Sequence, residues 1–321
     1  MLTNTLCRAV RGIAHTYKQK NRIRSIHRCQ SDFFSFSCQE AEPRILYQAF
    51  SPHNNVRVVE IPDHPMVDHS IRELKGSRIL VLDQSGNIHS IYKPGMPSDQ
   101  FLTKSYWEFL ATMPSFNDFN QGPIGILGLG AGTVASMLHA HYPNHMMVGW
   151  ELDPAVLMAG RLYMGLDQLE ATGKLVCHTG DALNEASTVP GGFSGIIVDI
   201  FSNGALPSTL TEESTWKGIK GRLAPQPGSR VMVNLGQSPV GVGGRDMDPQ
   251  GFVTLKALRS MHNVFEGQVS VLHIRNMDDE ITQNTVAITG PFEGLQEAWQ
   301  KDIPDKLKHL TDAYTWERFS L

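Results

Sequence analysis

Between residues 123 and 235 the chain alternates short apolar runs with segments of helical periodicity, and few folds accommodate that rhythm. The runs IGILGLG, HMMVGWEL, KLVCHTGD, FSGIIVDIF and SRVMVNLG show little polar alternation, so each is expected to be covered on both faces. TVASMLHAHY, DPAVLMAGRLYMG and STLTEESTWKGIKGRLAP read as helices. Strands of this kind separated by helices form a parallel sheet with helices on each side. The expected fold class is α/β, a doubly wound domain over residues 120–292. After the Gly-rich GQSPVGVGGRDMDPQG, a helical FVTLKALRSMH and the runs VSVLHIR and NTVAITG predict two added edge strands, one of them antiparallel.

Residues 44–115 have another texture. RILYQAF, NVRVVEIP, RILVLDQ and NIHSIY are rich in Val, Ile and Tyr and separated by Pro, Asn and Gly, so a small antiparallel β domain is expected first. The turn residues QSGN predict a hairpin within it. SDQFLTKSYWEFLATMPS is expected to be a helix capped at its Ser/Asp start and ended at Pro114. Leu295, Trp299, Leu307 and Leu310 predict one or two helices in a tail over 293–321.

The first 31 residues hold seven of the chain's 28 Lys and Arg and none of its 32 Asp and Glu, so this leader is +7 and the remainder −11. With Leu6, Val10 and Ile13 at helical spacing, residues 1–40 fit a transit peptide for the mitochondrion or the chloroplast. A solvated basic tail or a nucleic-acid-binding arm is the alternative. The acidic body argues against nucleic acid as the main partner. No run of about 18 apolar residues occurs, so no membrane partner is expected. A hydrophobic content of 41% over 321 residues is enough to bury a core. The four cysteines, Cys7, Cys29, Cys38 and Cys177, form no CxxC pair and no group at zinc spacing, so neither a metal nor a disulfide framework is expected.

The candidate chemistry lies at the ends of the apolar runs. Gly128-Leu129-Gly130-Ala131-Gly132 leads from a strand into a helix, where glycine lets the backbone approach a ligand and take positive φ. The dinucleotide pattern GxGxxG fails, because its sixth position is Thr133. A nicotinamide-dependent oxidoreductase is therefore the least favoured reading. Glu151 follows Gly132 by 19 residues, at the end of the next strand, where a carboxylate can accept both hydroxyls of a ribose. Asp153 and Pro154 suit the start of the following helix better than Glu151 does. Asp181, followed by Ala182, is either an acceptor for an adenine amine or the cap of ALNEAS. Asp199 ends the apolar GIIVD, and an acid there is costly to bury without a role or a partner.

These motifs, in this order and after a β-rich segment, resemble the polyamine aminopropyltransferases, the spermidine and spermine synthases, and more specifically the spermidine-synthase-like, S-adenosylmethionine-dependent methyltransferase-like proteins. GLGAG, WELD, TGDA and VDIFS are similar to that family's GGGDG, xEID, GDA and VDSSDP, and GQSP to its GESP. LVLDQSGNIHS and DQFLTKSYWEFL are similar to its hairpin and helix start, with Tyr106 and Glu108 on the matching positions. The resemblance implies a Rossmann-like sheet of the class I methyltransferase type, with S-adenosylmethionine or its decarboxylated form as co-substrate and no metal. It implies that Gly128, Gly130, Gly132, Glu151, Asp181 and Ala182 hold the co-substrate and that Asp199, with Tyr106, is catalytic. It further implies a small-molecule acceptor such as an amine, and a homo-oligomer, a dimer or a tetramer. The chain departs from the family at Ala131, Ser202 and Gln237, where the family carries acidic residues. A dicationic diamine needs carboxylates to offset its desolvation, and Asp99 and Glu108 are the candidates to replace those lost. Three functions follow: methyl transfer to an unidentified acceptor, aminopropyl transfer, and a scaffold whose acceptor site has decayed.

Overall fold

The structure, a computed structural model, describes residues 41–82, 87–97, 99–116, 122–237, 249–275 and 282–321. The leader, most of the QSGN turn and most of the Gly-rich segment before residue 249 lie outside them.

Four strands, β1 (Arg44–Phe50), β2 (Asn55–Glu60), β3 (Arg78–Val81) and β4 (Ser90–Tyr92), form an antiparallel sheet in sequence order. Then come α1 (Tyr106–Ala111), β5 (Ile124–Leu127), α2 (Thr133–His141), β6 (Met147–Glu151), α3 (Pro154–Tyr163), α4 (Leu166–Ala171) and β7 (Leu175–Thr179). The chain continues through β8 (Gly195–Val198), α5 (Glu213–Lys220), β9 (Arg230–Asn234), α6 (Pro249–Val264), β10 (Val269–Arg275) and β11 (Thr282–Thr289). It ends in α7 (Leu295–Asp302), α8 (Lys308–Ala313) and β12 (Glu317–Arg318).

The second sheet runs β12-β10-β11-β9-β8-β5-β6-β7. Strands β7, β6, β5, β8 and β9 are mutually parallel, while β11 pairs antiparallel with both β9 and β10. This is a Rossmann-like sheet, and β11 is the expected antiparallel member. The apolar runs have a simple cause, because alternate residues of each central strand enter different cores. Ile197, Met232 and Ile288 pack with α2 and the C-terminal helices, whereas Ile196, Val231 and Ala287 pack with Trp216 of α5 and Met261 of α6. Val56, Val58 and Leu80 of the small sheet close over Val156 and Ala159 of α3.

Four expectations change. The helix starts at Tyr106 and not near Ser98, because Ser105-Tyr106-Trp107-Glu108 is itself a Ser-x-x-Glu start signal. Ser105 accepts the Trp107 N–H, Glu108 accepts the Lys104 N–H, and Lys104 sits at φ 52°, which no helix admits. Pro114 does not end the segment, which passes into a 3-10 turn over Met113–Phe116. ALNEAS forms a turn where a helix was one alternative. The tail adds β12, paired to β10 through Ser270 and Val271, beyond its two helices.

Candidate active site

Strand order reverses between β5 and β8, and a ligand crevice is expected at the carboxyl ends of the strands there. A cavity of about 1230 Å³ occupies that place. It exceeds the ~300–1,000 Å³ of a typical small-molecule pocket, so it has room for two reactants. Gly128, Gly130, Glu151, Asp181, Ala182, Asp199 and Tyr106 all line it. Gly132 does not; it precedes α2 at φ 92°, where an added Cβ would fall 2.8 Å from Leu166 Cδ1.

On the β5-β6-β7 side the loop is tightly held. A side chain at Gly128, at φ 90°, would collide with the Asp199 carbonyl, so glycine is required there. The Glu151 carboxylate accepts the N–H of Gly130 at 2.9 Å and that of Asp153 at 3.0 Å. Burial pushes the Glu151 carboxyl up, against the pull of those N–H groups. Asp153 caps α3 through the Ala155 N–H at 2.9 Å and also accepts from Ser51 and Asn54. Asp181 accepts the Leu183 N–H at 2.8 Å, a turn-forming bond, while its residue faces the cavity. Arg222 reaches across from the turn after α5 to the carbonyls of Ala182 at 2.7 Å and Leu183 at 2.8 Å.

The small sheet completes this side. Ser90 Oγ accepts the Ala131 N–H at 2.9 Å and donates to its neighbour His89. Thr133 Oγ1 accepts the Ile91 N–H at 2.9 Å and donates to the Ile91 carbonyl at 3.1 Å, as a third strand would. The residue that breaks the dinucleotide pattern thus fastens β4 to the glycine loop.

On the β8-β9-β11 side Asp199 is the centre. Asn234 Nδ2 donates to its Oδ1 at 3.0 Å, and the Tyr106 hydroxyl and Trp107 indole N–H also hydrogen-bond to the carboxylate. Burial lifts the Asp199 carboxyl to about 6 against those three donors. Burial and the facing Asp199 charge push the Tyr106 phenol well above its ordinary value. Asn234 Oδ1 in turn accepts from the Gly236 N–H at 3.0 Å and from Asn284 Nδ2 at 2.9 Å. Every hydrogen-bonding site on that amide oxygen is occupied, so its orientation is fixed.

Neither acid expected to replace missing charge reaches the cavity. Asp99 is not among its lining residues, and Glu108, 1% exposed, points the other way. Its carboxylate accepts from Thr103 Oγ1 at 3.1 Å and pairs with His309 Nε2 of α8 at 3.3 Å. Ser202 and Gln237 line the cavity as neutral groups. Among the described residues no group of three or more His, Cys, Asp or Glu is placed to hold a metal, and no helix is long and apolar enough to cross a membrane. The Cys177 thiol is half-buried and pushed up to about 12, first by burial and then by Glu170.

Reasoning from sequence missed Asn234, Asn284, Trp107, Ser90 and Arg222. Asn234 was within reach, since it ends an apolar strand as Asp199 does. Asn284 was not: it meets the site because β11 runs antiparallel and brings its first half to the ligand edge.

No protein-family model matches the chain, and no curated protein matches its sequence. Solved structures do match. A spermidine synthase in complex with the transition-state analogue AdoDATO superposes with a TM-score of 0.58 at 16% identity, over 87% of this chain and 84% of that one. A probable spermidine synthase from Corynebacterium glutamicum ATCC 13032 gives 0.61 at 17% identity, over 86% and 91%. The Thermotoga maritima spermidine synthase gives 0.59 at 16%, over 87% and 84%. The chain has the spermidine synthase fold. Within that fold its cavity holds acidic residues on both sides of the switch point, at Glu151 and Asp199, with neutral Ser202 and Gln237 around them, while Ala131 is buried behind the loop.

Proposed function

We propose that this protein is a transferase that takes S-adenosylmethionine, or its decarboxylated form, as co-substrate and moves a methyl group to a small acceptor. The observation that carries the reading is the Asp199 cluster facing the Gly128 loop across the switch point. Glu151 and the Asp181–Leu183 turn are the groups that would meet the ribose and the adenine, by charge and by position. A lone pair on the acceptor attacks the sulfonium methyl carbon, the carbon–sulfur bond breaks with its electrons on sulfur, and a thioether leaves. The acceptor's proton passes to Asp199, whose carboxyl near 6 is ionised and able to receive it at neutral pH. Positioning supplies most of the acceleration in such an in-line transfer.

Methyl transfer is preferred to aminopropyl transfer because of Ala131. It is 2% exposed, buried against Val156 and Ala159, and places no acid there to repel the carboxylate that S-adenosylmethionine carries and its decarboxylated form lacks. Aminopropyl transfer is the second reading, favoured by the shared fold. Calorimetric titration with S-adenosylhomocysteine and methylthioadenosine tests both: no binding of either sinks the transferase reading. Release of methylthioadenosine from the decarboxylated donor and an amine, lost in Asp199→Asn, would put aminopropyl transfer first. We extend the proposal to organellar import of the basic leader and to a homodimer, checked by a residues 1–40 reporter fusion and by sedimentation.

A further inference from the structure

We infer that the acceptor half of the cavity is built for a monoamine on an apolar body, one ammonium or amine group and no second charge. This rests on the transferase reading and specifies its acceptor. The strand order divides the cavity, with β5, β6 and β7 on the nucleoside side and β8, β9 and β11 on the other. Glu151, Asp181 and Glu185 fall on the first side. Among the described residues on the second side, Asp199 is the sole carboxylate.

The rest of that half has two characters. Tyr106 and Trp107, rings 5.2 Å apart, stand beside the carboxylate, and Phe201, Leu206 and Val253 extend the apolar wall. Such a wall favours an alkyl or aromatic body and gains from its burial. Around it Asn234, Gln237 and Asn284 present neutral amides. Asn234 is committed to Asp199, Gly236 and Asn284, so it holds the carboxylate in place and leaves the carboxylate's charge for the ligand. Arg222, the guanidinium on the cavity wall, is engaged with the Ala182 and Leu183 carbonyls, so an acidic acceptor finds no partner in it.

One carboxylate can neutralise one ammonium. A second ammonium on the same ligand would be desolvated against amides and rings, with no second carboxylate among the described residues of that half to offset it, and leaving one member of a buried pair alone is heavily penalised. Glu108 is engaged elsewhere: its carboxylate accepts from Thr103 and Lys104 and pairs with His309, and it is not on the cavity lining.

The test uses a pair of probes that differ by one ammonium, hexylamine and 1,6-diaminohexane, with phenethylamine as the aromatic probe. Each is titrated calorimetrically into the full chain, with and without saturating S-adenosylhomocysteine. The monoamines are expected to bind at least about 100-fold more tightly than the diamine. Ser202 is exposed on the cavity lip three residues beyond Asp199, and Ser202→Asp is expected to tighten the diamine about tenfold or more and leave hexylamine near its original affinity. Equal or tighter binding of the diamine to the unaltered chain overturns the inference, as does failure of both monoamines to bind in either condition, or an unchanged ratio in Ser202→Asp. Failure of both S-adenosylhomocysteine and methylthioadenosine to bind sinks the transferase reading, and the amine titrations without them still decide the acceptor class.

Discussion

Replacing Asp199 with Asn is expected to stabilise the fold while removing its chemistry. Burial lifts the carboxyl from 3.8 to about 6, about two units. At about 1.4 kcal/mol per unit, the ionised group costs the native state about 3 kcal/mol above pH 6. The asparagine keeps its bond from Asn234 but turns an amide N–H toward the Trp107 donor, a loss of about 1 kcal/mol. The net gain is about 2 kcal/mol, or about 4 °C in melting temperature for a chain of this size. Its pH dependence is the distinguishing mark. A group whose native pKa is raised gives its full stabilisation below the unfolded value and loses it as pH rises through the native value. The unaltered chain should therefore lose ground to Asp199→Asn between about pH 4 and pH 6, and the gap should stay constant above that. Thermal melts of both proteins across this range measure it. A gap that is flat with pH, or that narrows as pH rises, would refute the assignment of a raised carboxyl to Asp199.

Glu151→Gln is expected to weaken S-adenosylhomocysteine by about 10-fold to 100-fold, as one charge-assisted acceptor pair is lost, with melting shifted little; calorimetry reads both. Thr133→Val should cost about 2 kcal/mol, because the Ile91 N–H and carbonyl lose their partner in a buried place, and denaturant unfolding measures it. The Glu108 carboxylate raises the His309 pKa, so the pair stabilises the fold below the imidazole's unfolded value and fades as pH climbs through the native one. His309→Gln should accordingly lower the melting temperature more at pH 5.5 than at pH 8.5, and an equal loss at both would count against the pair.

Much of the architecture was legible because the central strands are buried on both faces, and a strand such as GIIV, buried at all four positions, advertises this in its letters. The start of α1 was legible too, in Ser105 and Glu108, but a second Ser/Asp pair upstream offered a competing cap. Helix α4 was not, since the helix read from Asp153 stops at Gly165, which sits at φ 75°, and no further helix was expected after it. The site divided in the same way. Residues that end parallel strands, such as Glu151 and Asp199, lie at positions that sequence spacing fixes. Ser90, Arg222 and Asn284 come from a hairpin, a turn and a reversed strand, whose arrival at the cavity depends on tertiary placement that no local pattern encodes.

The clasp of Thr133 and Ser90 on the glycine loop bears on modularity. Sheets of this class are often treated as portable nucleotide-binding cassettes, to be cut at the first parallel strand and joined elsewhere. Here the cut at residue 122 would strip the Ala131 N–H of its hydroxyl partner and leave Thr133 facing water. The small sheet is thus a built-in brace for the loop, joined to it through β4, which is itself paired to β3. Length changes between β3 and β4 should be transmitted to the glycine-loop side of the cavity, so the least conspicuous part of the chain constrains how the whole can be re-engineered.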